Sequence, residues 1–183
     1  GIVTDYLQNA LLPCLGEEAA PPMNQSIDAF LSRLFVGSDV VASPFHSLGA
    51  KRLLSALAAL AVVMWTLQTL ARRNRAPGLL PVELGFVLLA ILAVMKLTWV
   101  QTLAAMLFVW PSLMLAILRA AERGAPWARR AGIAACLGFF LSSAHFPLLW
   151  SHLRHGPWVF VTGVHLSGVL VLWATSAAVL HRD

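Results

Sequence analysis

Apolar residues run in long blocks along this chain, and polar residues collect at the block ends. The first block, Leu53–Leu70, is opened by Lys51-Arg52 and closed by Arg72-Arg73-Asn74-Arg75. The next apolar region covers the forty residues from Leu79 to Leu118. One helix of that length would reach about 60 Å, twice the roughly 30 Å of bilayer hydrocarbon, so the block predicts two helices. The break falls at Met95-Lys96-Leu97-Thr98, around the one charge in its middle. Two more blocks follow, Ala131–Trp150 and Trp158–Leu180. The pattern predicts spans near 53–70, 79–95, 97–118, 131–150 and 158–180.

The first fifty residues read differently. Ile2, Tyr6, Leu7, Ala10 and Leu11 recur at helical spacing until Pro13 ends the pattern. After a loop, Ile27, Phe30, Leu31, Leu34 and Phe35 follow the i, i+3, i+4, i+7, i+8 rule. Ser26 is a suitable N-cap, Asp28 suits the positive end of the helix dipole, and Gly37 is a stop. The spacing predicts a short amphipathic helix over 26–36, too short to span, lying along the external membrane face with Phe30 and Leu34 against the spans. Asn24 and Gln25 would then point toward a cavity mouth. The chain divides into an external segment, 1–50, and a transmembrane bundle, 51–183.

Composition supports the same class. Of 183 residues, 59% are hydrophobic and 11% charged, whereas soluble domains carry about 25% charged residues. So few charges cannot cover a globular surface. The net charge of +5 maps to the ends of the apolar blocks, which is membrane topology and not a nucleic-acid patch. Strict alternation of five spans puts Arg72, Arg73, Arg75, Arg119, Arg123, Arg129, Arg130 and Arg182 on one side, read as cytoplasmic. Arg33, Lys51, Arg52, Lys96 and Arg154 fall on the other. The expected location is the cytoplasmic membrane, multi-pass. Gly1 opens the chain without an initiator Met, which suggests a fragment or a processed form. Cys14 and Cys136 lie in a polar segment and an apolar block, so no disulfide is assigned.

Some polar residues invite chemistry. Asn24-Gln25-Ser26 matches a glycosylation acceptor pattern and also a plain turn ending in a cap. Lys96 at an external turn can meet a lipid phosphate or snorkel to headgroups. Arg33, two helical turns beyond Ser26, can neutralise a phosphate or sit in water. His165 is set well inside its span, where an ionisable group faces the bundle or a cavity, and His145 is a candidate neighbour. No third ligand is evident, so no metal site is predicted, and no cofactor either. Lys51-Arg52 read as interface anchors and Glu83 as interfacial.

The segment "NQSIDAFLSRLF" resembles the Asn-Gln-Ser element and following short helix of glycosyltransferase family 87, in the GT-C superfamily of polyprenyl-phosphate-sugar-dependent enzymes. "DYLQNALLPCLG" resembles the family's aromatic-rich helix running into Leu-Pro. "MKLTWVQTLAAMLFVWPSLM" stands where the family has an external Ser-Pro-x-Ser-Trp-x-His-His type turn and an apolar helix containing Pro. Trp99 matches the tryptophan and Thr98 stands for Ser. Gln101 and Thr102 stand where histidines are usual, and Lys96 replaces the Pro-containing approach. The resemblance covers most of this chain but only the C-terminal half of such an enzyme.

It implies an all-α, GT-C-like membrane helix bundle of about five spans with short external amphipathic helices. The implied reaction transfers a sugar, mannose by default or arabinofuranose, from a polyprenyl-phosphate donor to a glycan or glycolipid acceptor outside the membrane. The usual mechanism is inverting. The family's catalytic carboxylate would precede Gly1, so the fragment lacks it. Asn24, Gln25, Ser26, Arg33, Lys96, Trp99 and Gln101 are the candidate substrate-binding residues, with membrane lipid as a further partner. The competing reading is a non-catalytic membrane subunit or degenerate GT-C-like scaffold. A transporter fits less well, because no span shows a broken-helix pair.

Overall fold

A computed structural model of the chain describes residues 26–37, 43–72, 78–95, 102–143 and 164–182. Among these residues the structure is all helical. The helices are α1 (Ile27–Phe35), α2 (Leu48–Arg72), α3 (Leu80–Val94), α4 (Thr102–Glu122), α5 (Ala128–Ser143) and α6 (Val164–Arg182). The first helical pattern, Ile2 to Leu11, lies outside the described residues.

Helices α2 to α6 pack side by side in alternating directions. Gly78 approaches the Arg119 side chain and Gly85 approaches Val109, so α3 and α4 run antiparallel. Gly132 meets Ile117, and Trp110 packs on Phe139 at a ring distance of 4.9 Å, which makes α4 and α5 antiparallel. Gly138 meets Leu172, while Arg182 lies 5.9 Å over the Trp127 ring, so α5 and α6 oppose as well. The alternation gathers Arg72, Arg119, Arg123, Arg129, Arg130 and Arg182 at one end of the bundle. The start of α2 and the end of α3 lie at the other.

The solvent these helices are built for is legible in α2. Its buried stripe is Lys51, Val62, Thr66 and Thr69, largely polar. Its outward face carries Leu53, Leu57, Leu60, Met64 and Leu67, each more than half exposed. In water that arrangement would be inside out; in hydrocarbon it is the stable one. On α5 the buried residues are Ala128, Ala135, Gly138 and Ser142, and the exposed ones include Ile133, Leu137 and Phe140. Small residues face inward because, with lipid outside, close van der Waals approach holds helices together.

Among the described residues, three helices are long and apolar enough to cross a membrane: Leu48–Arg72, Ala105–Glu122 and Val164–Arg182. This is a membrane protein, and of the five expected spans three are seen at full length among the described residues. The apolar helix α3 has 15 residues and ends at Val94; at about 1.5 Å per residue it reaches about 23 Å, short of the hydrocarbon thickness. Helix α5 is described as far as Ser143, and the rest of its expected span, 144–150, lies outside the described residues. The expected break at Met95 is where α3 ends. The first span starts at Leu48 rather than Leu53, so Lys51 and Arg52 lie inside the helix instead of preceding it. A charge does not stop a helix whose backbone is already satisfied by i→i−4 bonds. Lys51 N–H donates to the Ser47 carbonyl at 3.1 Å.

Candidate functional site

The amphipathic helix α1 sits at the end of the bundle away from the arginines, packed on α2 and α3. Its boundaries follow from local chemistry. Ser26 has an extended backbone and its Oγ accepts the Ala29 N–H at 3.1 Å, one of the unpaired donors of the first turn. Gly37, at φ 83°, closes the other end, where its N–H donates to the Ser32 carbonyl. Ile27 joins the bundle core, and Phe30 and Leu31 pack against it. Leu34 is buried against Phe30, Leu31 and Phe35.

Polar contacts hold α1 in place. Lys51 Nζ lies 2.9 Å and 3.2 Å from the two carboxylate oxygens of Asp28. Lys51 is therefore the buried partner of an α1 carboxylate and not an interface anchor. Asp28 is half-buried and paired. Ser43 Oγ donates to the Leu34 carbonyl at 2.7 Å, and Phe45 N–H donates to the same oxygen at 3.1 Å. The Phe45 ring packs on Phe35 at 5.6 Å.

Arg33 is fully buried, neither in water nor on an open surface. Loss of hydration lowers its guanidinium pKa to about 10. Ser26 and Ser32 of the same segment are buried too. Of the seven candidate residues, Ser26 and Arg33 are therefore enclosed by the protein, with the Ser26 hydroxyl committed to the cap. Asn24, Gln25, Lys96, Trp99 and Gln101 lie outside the described residues, as do His145 and Cys14. Asn24 and Gln25 directly precede the capped start of α1. The described end of α3, Val94 and its cap Met95, lies at the same end of the bundle as α1.

His165 is half-buried and faces α5: with its proton on Nδ1 it donates to the Ser142 carbonyl at 3.0 Å. Glu83, read as interfacial, is buried in the first turn of α3. Cys136 is a free, exposed thiol. Among the described residues no group of three His, Cys, Asp or Glu side chains could hold a metal ion.

A feature that periodicity did not announce lies at the arginine end. A cleft of about 750 Å³ opens between the start of α3 and the second half of α4. Pro111, Leu115, Arg119, Glu122 and Arg123 of the α4 side are among its lining residues. The available signals were Pro111 inside an apolar run and Gly78 and Pro81 flanking a helix start.

No family model, curated protein or solved structure matches this chain.

Proposed function

We propose that this chain is the C-terminal membrane portion of a GT-C-type glycosyltransferase resembling family 87. On this reading it transfers a sugar, mannose by default, from a polyprenyl-phosphate donor to a glycan or glycolipid acceptor. The reading rests on the resemblance of the Asn24-Gln25-Ser26 and Trp99 segments. One observation supports it: the described helices that these two segments adjoin, α1 and α3, present the adjoining ends at the same end of the bundle. There Asn24, Gln25 and Lys96 would serve the donor. A cation or amide near the lipid phosphate stabilises the charge that grows as the phosphate leaves. The positive-inside rule then sets the arginine end in the cytoplasm and the α1 end outside.

A second reading, the non-catalytic subunit, draws support from Lys51 and Arg33. Lys51 is paired with Asp28 and Arg33 is buried within the protein, so neither stands open to a ligand.

Binding separates the two. The whole chain, reconstituted in nanodiscs, is titrated with a polyprenyl-phosphate mannose and with the corresponding polyprenol lacking phosphate. Saturable binding of the phosphate form, weakened about tenfold by Lys96→Met and by Asn24→Ala, is the expected result, equal to a loss of about 1.4 kcal/mol. Equal binding of both lipids, or no effect of either substitution, overturns the enzyme reading.

A further inference from the structure

The cleft at the arginine end lies at the opposite end of the bundle from α1, so it has no part in the proposed sugar transfer. It is amphiphile-shaped. Its lining includes two arginines, Arg119 and Arg123, with Glu122 between them in sequence. These residues sit at the end of α4, where it leaves the apolar layer. Arg119 and Arg123 are one helical turn apart and share a face. The turn is further tied by Arg123 Nε, which donates to the Arg119 carbonyl at 3.2 Å. Eight residues back along α4, about 12 Å deeper, the wall becomes Pro111, then Leu115 and Ala116, with Leu79 and Pro81 opposite.

We propose that this cleft binds one anionic phospholipid of the phosphatidylglycerol class. Charge complementarity selects this occupant. The lining offers two positive charges and one negative charge, a net of one positive against the single negative charge of that headgroup. The phosphate sits between Arg119 and Arg123, whose planar forks suit its oxygens. The glycerol hydroxyls of the headgroup donate to the Glu122 carboxylate, which would otherwise repel a more highly charged anion. The upper acyl chains lie along Pro111, Leu115 and Ala116. A basic pocket between helices at the membrane surface differs from a general basic surface, because only the pocket also encloses the chains.

Native mass spectrometry of the detergent-solubilised whole chain tests this. The chain is mixed with equal amounts of dioleoyl phosphatidylglycerol, phosphatidylethanolamine and phosphatidylcholine, and retained lipids are counted. One phosphatidylglycerol should be retained in preference to the other two. Arg119→Gln with Arg123→Gln should lower that retention about tenfold or more. Ser112→Trp, which fills the cleft without changing a charge, should lower it as well. Arg129→Gln with Arg130→Gln, at the same end but outside the cleft, should leave it unchanged. Equal retention of phosphatidylcholine would make the site an ordinary annular one, and a preference for phosphatidylethanolamine would assign the wrong headgroup. Equal loss in the Arg129/Arg130 variant would reduce the effect to diffuse surface charge. Each of these outcomes overturns the proposal.

Discussion

Helices α2 and α6 are both long and apolar, yet they hold opposite places. The most apolar stretch of α2 is 17% buried and that of α6 is 56% buried. Of these two stretches the more apolar, in α2, is the one at the edge. That order is reversed from a soluble domain, where the most apolar helix goes to the centre. In a bilayer, apolar side chains lose nothing by facing outward, so hydrophobicity no longer ranks helices by depth. Fit and polar contact do. The central helix α6 meets α5 through Gly168, where backbones nearly touch. Two polar contacts among the described residues tie the peripheral α2 to its neighbours. One is the Lys51–Asp28 ion pair with α1. The other is the Trp173 indole N–H, which donates to Thr66 Oγ1 at 3.2 Å, while Thr66 in turn donates to the Val62 carbonyl at 2.7 Å. Around that contact Trp173 stacks on Phe86 at 5.7 Å and meets Trp65 edge-on at 5.1 Å.

If shape holds α6, adding one methyl at its closest approach should do the greatest damage. A Cβ at Gly168 would lie 2.3 Å from the Ser142 nitrogen and 2.6 Å from the Gly138 oxygen, both backbone atoms that cannot swing away. Gly168→Ala should cost about 3 kcal/mol in reversible unfolding in mixed micelles, the upper end for overpacking. The larger change Ala56→Leu, on the exposed face of α2, should stay within about 0.5 kcal/mol. Similar costs for the two would erase the distinction between centre and edge.

If polar contact holds the α2 edge, Asp28→Asn should come next. It leaves the buried Lys51 ammonium without its carboxylate, at a cost of about 2 kcal/mol. Amide exchange in α1 should quicken while α5 and α6 keep their protection. Uniform quickening across all helices would show that α1 is not a separate unit of stability.

Arg33 gives a smaller, pH-dependent effect. Burial lowers its folded-state pKa to about 10, below the value in the unfolded chain. Between those values the unfolded chain binds the proton that the folded chain has released, so stability rises with pH. The gain between pH 9 and pH 11 should be about 1 kcal/mol and should vanish in Arg33→Met. Taking the difference between the two proteins removes the other groups that titrate in that range. Parallel curves would place Arg33 in a hydrated setting.

The smallest expected effect is at the second fastening of α2. Thr66→Val keeps the shape and removes the acceptor of the Trp173 N–H. Interhelical hydrogen bonds in membranes average about 0.6 kcal/mol, and the loss should appear at that size, with a shift in tryptophan emission. No spectral change would show that Trp173 is held by its aromatic neighbours alone.

What the sequence determined by itself is what depends on near neighbours in the chain. The cap at Ser26, the stop at Gly37 and the apolar spacing of Ile27 to Phe35 set α1, because capping and periodicity act within a turn or two. The break near Met95 and the gathering of arginines follow from block lengths and alternation. Tertiary structure alone decided the rest. Arg33 is buried because α1 settles on α2 and α3, which no spacing within α1 expresses. Lys51 pairs with Asp28 across 23 positions of sequence, inside a helix that begins five residues earlier than the apolar block. The cleft beside Pro111 needs the start of α3 and the end of α4 together. Gly168, one small residue among many, becomes the tightest of the described glycines only when Ser142 is brought against it, since a missing side chain has meaning only where another backbone takes its place.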